Sequence, residues 1–333
     1  MKIFITNLPA FYKINLYNRI AKEIPIIVVF TGDDFATRND DFVKGEMKFP
    51  NIFLKGNALN KSLQFRNFLK QSDYSELVFG AWDNLPSWFG VFTSPKGKNS
   101  FAIESSVLES KTKGIKGVLK RLFVNRMSRT YCSGKSQAAL ARAIGFRGDI
   151  VITKGVGIFN YGEQPPFESR KTVKNFIYVG RLVKEKNLPF LVKRFNEHPE
   201  LHLDIVGFGY QDEELIGMAK ENISFRGAVD NAKLPQLYRQ SDVFILPSVS
   251  EPWGLVVEEA LNNGLPVMVS NKVGCADEIV NESNGVVFDL DEDDFEAKLK
   301  QMTDIKSYNN KRQYISGLNF EEIEKHQVEV YLK

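Results

Sequence analysis

The sequence is poor in the residues that staple a fold or hold a metal. Among 333 residues only Cys132 and Cys275 are cysteines, and neither stands in a CxxC or CxxH spacing. A disulfide framework, a zinc ribbon and a redox dithiol are thereby excluded, and both thiols are expected to be buried and reduced. There are three histidines, His198, His202 and His326, all in the second half. His198 and His202 have the i, i+4 spacing of metal ligands on a helix, but Pro199 between them breaks one, so a surface loop is expected and no metal site. No apolar run approaches the ~18 residues of a membrane span. The amino end, MKIFITNLP, reads as a strand and has no basic segment, apolar run and cleavage site of a signal peptide, so the chain is expected in the cytoplasm. RNA-module signatures, zinc-finger spacings and basic zippers are missing too, which argues against nucleic acid as a partner.

What is present is a globular composition, 43% hydrophobic and 26% charged, with length enough for two α/β domains. The net charge of +3 hides a division. Residues 1–170 hold 25 Lys and Arg against 14 Asp and Glu, whereas residues 171–333 hold 19 against 27. The basic half suits an anionic partner, such as phosphates on a lipid or a membrane surface.

Short runs rich in Ile, Val and Phe alternate with amphipathic stretches, the rhythm of strand and helix in a parallel sheet. Strands are expected near Lys2–Thr6, Ile26–Thr31, Leu77–Gly80, Phe101–Ile103, Thr130–Cys132 and Ile150–Ile152. A second series runs through Asn175–Val179, Leu203–Val206, Ile223–Arg226, Val243–Leu246, Val267–Ser270 and Val286–Phe288. Between the two series, Asn160–Thr172 has Gly162, Pro165 and Pro166 but no periodic apolar face, and reads as a linker. Two doubly wound domains follow, residues 1–160 and 173–317, with ligands outside the carboxyl ends of the strands and a cleft between facing sheets. Residues 318–333 form a terminal helix whose packing periodicity does not set.

The segment from Leu246 to Val267, LPSVSEPWGLVVEEALNNGLPV, joins a strand end to a helix and then to another strand. Pro252 suits the first turn of that helix, and Gly254 admits close approach of a ligand. Free amides at Gly254, Leu255 and Val256, with the helix dipole, make an anion site suited to a diphosphate. Glu251 at the mouth of the helix can accept hydrogen bonds from sugar hydroxyls, with Glu259 about two turns further in. Favourable electrostatics alone also place glutamate in a first turn. Glu258 and Glu259 flank the apolar face at similar angles, so spacing does not separate them.

These residues, Ser248-x-x-Glu251-Pro-x-Gly254-x4-Glu259-Ala260-x3-Gly264-x-Pro266-Val267, resemble the signature of retaining GT-B glycosyltransferases of family four. Val179-Gly180-Arg181-Leu182 with Lys186-Asn187 is similar to that family's diphosphate-holding strand end. Val206-Gly207-Phe208-Gly209 and Phe225-Arg226-Gly227-Ala228-Val229 are similar to its nucleotide-side loops. The resemblance covers nearly all of residues 173–290. It implies a GT-B fold of two Rossmann-like domains, a nucleotide-sugar donor (UDP- or GDP-sugar), anomeric retention and no required metal. It further implies Arg181 and Lys186 on the diphosphate, Glu251 on the donor sugar and Glu259 on the ribose, with Gly180, Gly207, Val229, Ser248, Gly254 and Leu255 around them. Fixed cations stabilise the charge growing on a leaving diphosphate, although an isolated Arg or Lys is more often simply solvated.

The first half matches more loosely. Thr6-Asn7-Leu8-Pro9 stands where family members often carry a Gly-Gly loop, and no histidine is available for the role that one often fills there. Gly80-Ala-Trp82-Asp83-Asn84 and Ile103-Glu104-Ser105-Ser106 are similar to strand-end motifs of members acting on cell-surface polysaccharides. Asp83 or Glu104 is expected to face a saccharide or lipid-linked acceptor, the alternative being that each caps a turn or helix. Residues 111–129 are basic, with Ile115, Val118, Leu119, Leu122 and Phe123 at helical spacing. This stretch either lies on an anionic membrane leaflet or turns an apolar face to the core. A sugar-nucleotide epimerase and an inactive sugar-nucleotide-binding module are the alternative functions that share the fold.

Overall fold

The computed structural model describes residues 1–32 and 45–333. They form two units, Met1–Phe159 with Glu321–Lys333, and Asn160–Phe320. The first unit holds strands β1 (Lys2–Thr6), β2 (Ile26–Phe30), β3 (Asn51–Phe53), β4 (Glu76–Phe79), β5 (Asn99–Ile103), β6 (Arg129–Cys132) and β7 (Asp149–Ile152). Helices α1 (Phe11–Glu23), α2 (Ala58–Gln71), α3 (Leu85–Thr93), α4 (Gly114–Val124) and α5 (Lys135–Ala143) lie between them. All pairs are parallel, in the order β3-β2-β1-β4-β5-β6-β7, and Ile3 pairs with Ile27 on one side and Leu77 on the other. A strand covered on both faces must be apolar on both, which is why Ile3, Phe4 and Ile5 are all buried. Strand β3 escapes a pattern reading because it is a three-residue edge strand whose Asn51 and Phe53 are exposed.

The second unit holds β8 (Asn175–Val179), β9 (His202–Val206), β10 (Ile223–Gly227), β11 (Val243–Leu246), β12 (Val267–Ser270) and β13 (Gly285–Phe288). Its helices are α6 (Leu188–Asn196), α7 (Asp212–Met218), α8 (Leu234–Gln240), α9 (Leu255–Asn262), α10 (Ala276–Ile279), α11 (Glu292–Thr303) and α12 (Ile305–Ile315). The parallel order is β10-β9-β8-β11-β12-β13, so the winding reverses between β8 and β11. In open α/β sheets the crevice outside the strand ends at that reversal is where ligands bind.

Two stretches are held by contacts that their sequence patterns do not show. The expected linker Asn160–Thr172 has no helix or strand, yet it is fastened to the second unit. Gly162 N donates to Asn262 Oδ1 (3.1 Å), Gln164 Nε2 to the Ile315 carbonyl (3.1 Å) and Arg170 N to Asn309 Oδ1 (2.8 Å). Side-chain amides catching backbone groups leave no apolar period to read. The terminal helix α13 (Phe320–Leu332) packs in the first unit from Glu321 onward. The Tyr331 ring lies 4.4 Å from Tyr131 and 5.8 Å from Phe4, and Lys2 Nζ donates to the Tyr331 carbonyl at 2.6 Å.

Helix α4 divides its expected apolar stripe. Phe123 is buried, as is Val124 beside it, but Ile115, Val118, Leu119 and Leu122 are exposed, so most of the stripe does not face the core. His198 follows α6 with its ring between Glu200 and Glu296, while His202 opens β9 beside Asp204.

Candidate active site

The site is built where β8 and β11 end. Backbone bonds lace the strand-end loops together: Gly180 N to Val206 O (3.0 Å), Leu182 N to Phe208 O (2.9 Å) and Gly207 N to Gly227 O (2.8 Å). Gly207 is indispensable to this lacing, because a Cβ there, at φ +138°, would stand 1.8 Å from the Gly180 carbonyl oxygen. Val229 is half-buried in the loop after β10. Arg181, one residue past Gly180, is exposed, and its guanidinium makes no hydrogen bond or ion pair with any described residue. Its backbone is held from below, since the buried Tyr178 hydroxyl donates to the Arg181 carbonyl at 2.8 Å. Burial pushes the Tyr178 phenol well above its ordinary pKa, so it stays a donor.

Beyond Arg181 the chain makes a 3₁₀ turn, Lys184–Lys186, closed by Asn187 in the left-handed region (φ 55°). Val249 N donates to the Glu185 carbonyl at 2.9 Å and ties this turn to the loop after β11. The consequence is a direct ion pair between Lys186 Nζ and the Glu251 carboxylate, with side chains only 14% and 13% exposed. Glu251 is fixed by its backbone as well. It bridges Val273, its N–H donates to Lys272 O (3.1 Å) and its carbonyl accepts from Gly274 N (2.8 Å).

Helix α9 begins at Leu255, three residues later than Pro252 suggests, with Gly254 as its N-cap at φ +98°. A Cβ on Gly254 would lie 2.9 Å from Val273 Cγ1, so the cap is glycine for both conformation and space. The later start puts Glu259 a little over one turn into the helix rather than two. The amides of Gly254, Leu255 and Val256 make no hydrogen bond with any described residue, and the positive end of the helix therefore stays open. Ser248 is buried below, with its carbonyl taken by Ser270 Oγ and its own Oγ without a partner among the described residues.

The structure separates the two adjacent glutamates. Glu258 points inward, and the Trp253 indole N–H donates to its Oε1 at 2.6 Å. Burial raises its pKa to about 8, against a smaller opposite effect of that hydrogen bond. Glu259 keeps part of its surface open and accepts a long hydrogen bond from the Tyr238 hydroxyl (3.4 Å). Dense packing around it lifts its pKa to about 7. Trp253 and Tyr238 carry no chemistry readable from spacing; only the geometry shows that they sort the glutamates.

Asp83 and Glu104 both lie in the first unit, at the ends of β4 and β5. Neither caps α3: Asn84 does so, accepting from Ser87 N at 2.9 Å. Asp83 is exposed and pairs with no described residue. Glu104 is paired with Lys13 of α1, whose side chain is buried. Sequence reading missed Lys13, although it sits in phase with Leu16, Tyr17 and Ile20, and a charge inside an apolar stripe signals a buried partner. Asn7, standing where a Gly-Gly loop is common, accepts from Asn84 Nδ2 (2.8 Å) and Thr31 Oγ1 (3.3 Å).

Two parallel Rossmann-like sheets, with cations, a carboxylate and open helix amides at the switch point of the second, define the GT-B class. The profile of the family described as Glycosyl transferases group 1 matches residues 163–316. The O-antigen biosynthesis glycosyltransferase WbnH of Escherichia coli is 30% identical over 317 residues, 89% of this chain and 86% of that protein. The chain belongs to the glycosyl transferases group 1 family. An uncharacterized glycosyltransferase of Methanocaldococcus jannaschii is 34% identical over 121 residues, 34% of this chain and 31% of that protein. Several other curated relatives likewise match over less than half of their own length. Among solved structures, Anabaena HepE in complex with UDP-glucose superposes with a TM-score of 0.70 at 15% identity, covering 99% of each chain.

Proposed function

We propose that this chain is a retaining glycosyltransferase that moves a sugar from a UDP- or GDP-sugar to a saccharide or lipid-linked saccharide in the synthesis of a cell-surface polysaccharide. One observation carries the reading: an unpaired Arg181, a Lys186–Glu251 pair and three open amides of α9 all belong to the strand-end loops of a single switch point, with Glu259 a little over one turn along α9. Positive charge without a partner beside free N–H groups is what a diphosphate needs, and carboxylates beside it suit sugar hydroxyls.

In this reading Arg181, Lys186 and the amides of Gly254 and Leu255 hold the diphosphate and stabilise its negative charge as the glycosidic bond breaks. Glu251 accepts hydrogen bonds from the donor sugar, and Glu259 from the ribose. The leaving phosphate takes the acceptor proton on the same face of the sugar, which retains the anomeric configuration. The protein's own cations do the charge work, so no resident metal is invoked. Asp83, exposed and unpaired, is the better placed of the two first-unit carboxylates to meet an acceptor. The O-antigen role of WbnH and the UDP-glucose bound by HepE favour a uridine donor and a surface glycan.

The test is a thermal-shift series with UDP, GDP, ADP and CMP, since a ligand that binds only the native state raises its melting temperature. UDP or GDP should raise Tm by several degrees, and Arg181→Ala should abolish the shift. No response to any of the four would count against the reading.

A further inference from the structure

The first unit carries a surface that the donor chemistry does not use. On α4 the apolar side chains Ile115, Val118, Leu119 and Leu122 follow the i, i+3, i+4, i+7 pattern of a packed stripe, yet all four face solvent, Ile115 at 83% exposure. The helix turns Gly117, Phe123 and Val124 inward instead. Lys116 lies on one flank of the exposed stripe and Arg121 on the other, and no acidic residue occurs from Lys111 through Gly148.

The surface does not end with α4. Trp88 of α3 packs edge-on against Phe123 at 5.2 Å, and the Lys120 ammonium sits over the Trp82 ring at 4.7 Å. Phe92 of α3 is 60% exposed, stacked on Trp88, with the Arg126 guanidinium 5.8 Å over its ring. Helix α2 packs on α3, and between them opens a groove of about 560 Å³ lined by Arg66, Lys70, Leu85, Trp88, Phe89 and Phe92. Exposed apolar groups with cations at their edges thus occur on both of these helices and in the groove beside them. Exposed apolar groups gathered on neighbouring helices in this way suit an interaction site.

We propose that α3 and α4 form a docking face for an anionic lipid bilayer, with the four α4 side chains and Phe92 in the interfacial region and the flanking Lys and Arg on lipid phosphates. Charge chooses the occupant. An apolar stripe alone fits a second copy or another protein equally well, but cations outnumber acids along this stripe, with Glu109 near Lys120, so a symmetric contact with its own copy would set like charges against each other. It suits a negatively charged leaflet, where long basic side chains reach the phosphates while their stems cover apolar surface. Among the described residues no helix is long and apolar enough to cross a membrane, so the attachment is peripheral.

The experiment is co-sedimentation of the full chain with vesicles of phosphatidylcholine, with and without 30% phosphatidylglycerol. Binding to the anionic vesicles only, and its loss in 0.5 M salt, is expected. Lys113→Glu with Lys116→Glu should lower the partition coefficient at least about 25-fold, taking about fivefold per surface cation. Ile115→Gln with Val118→Gln and Leu122→Gln should abolish binding with little change in Tm, because these side chains are more than half exposed. Equal binding to neutral vesicles, or wild-type binding by the triple variant, overturns the proposal. So does a wild-type chain that is dimeric by analytical ultracentrifugation, ignores vesicles and becomes monomeric in the triple variant.

Discussion

The Lys186–Glu251 pair makes a prediction whose sign is unusual. Before a donor binds, the lysine expected to grip the diphosphate is engaged by the carboxylate expected to hold the sugar. A diphosphate must therefore draw Lys186 away from Glu251, and in doing so it frees the carboxylate for sugar hydroxyls. A hydrogen bond to a charged group contributes about 1.5–3 kcal/mol net, and with both side chains mostly covered by protein the pair belongs in that range. Glu251→Gln keeps the shape but removes the charge that competes for Lys186. At the lower end of that range, the affinity for UDP or GDP alone should rise about tenfold. Lys186→Met should instead weaken it by about tenfold or more. Both variants should turn over nucleotide sugar poorly, the first because Gln at 251 binds the donor sugar less well. Isothermal titration calorimetry with the nucleoside diphosphates reads these opposite shifts directly. Weaker or unchanged binding in Glu251→Gln would refute the exchange, because a residue that merely lines the site has no reason to oppose the ligand.

Three further outcomes follow from the same geometry. Arg181→Ala should lower kcat/KM by about 100-fold or more with Tm nearly unchanged, since the guanidinium makes no hydrogen bond or ion pair with any described residue; a fall in Tm with full activity would reverse its assignment. Gly207→Ala should destabilise the second unit by about 2–4 kcal/mol in urea unfolding, because a methyl group cannot share space with the Gly180 carbonyl. The third concerns pH. Glu258 and Glu259 have folded-state pKa values near 8 and 7, raised by burial above the unfolded value, so the fold holds protons that the unfolded chain releases. Their contribution to stability is full below about pH 4.3 and is lost as pH rises through 7 to 8. Glu258→Gln should therefore raise Tm at pH 8.5 relative to wild type and leave it nearly unchanged at pH 5, as differential scanning fluorimetry would report.

Much of the fold was legible because a parallel sheet covered on both faces writes itself as runs of Ile, Val and Phe. Strands β1, β8, β11 and β12 run over the residues those patterns mark. Strand β3 was not legible, because an exposed edge strand such as Asn-Ile-Phe makes no apolar demand on its sequence. The hold on Asn160–Thr172 was hidden for a related reason: Asn262, Ile315 and Asn309 engage it through amide and carbonyl groups, which leave no hydrophobic period. At the candidate site, residue types and spacing brought out Glu251 and Gly254, and the family resemblance pointed to Arg181 and Lys186. The sequence is silent on which of two neighbouring glutamates is covered, because that depends on the Trp253 indole and the Tyr238 hydroxyl. It is equally silent on the need for glycine at 207, which arises from a carbonyl brought close by a different strand.

The most direct measurement of the central claim is a crystal structure of this chain soaked with UDP or GDP, whichever raises Tm more. The diphosphate should lie against Arg181, Lys186 and the amides of Gly254, Leu255 and Val256, with the ribose on Glu259 and the Lys186–Glu251 pair opened. A nucleotide bound elsewhere, with that pair intact, would contradict the account.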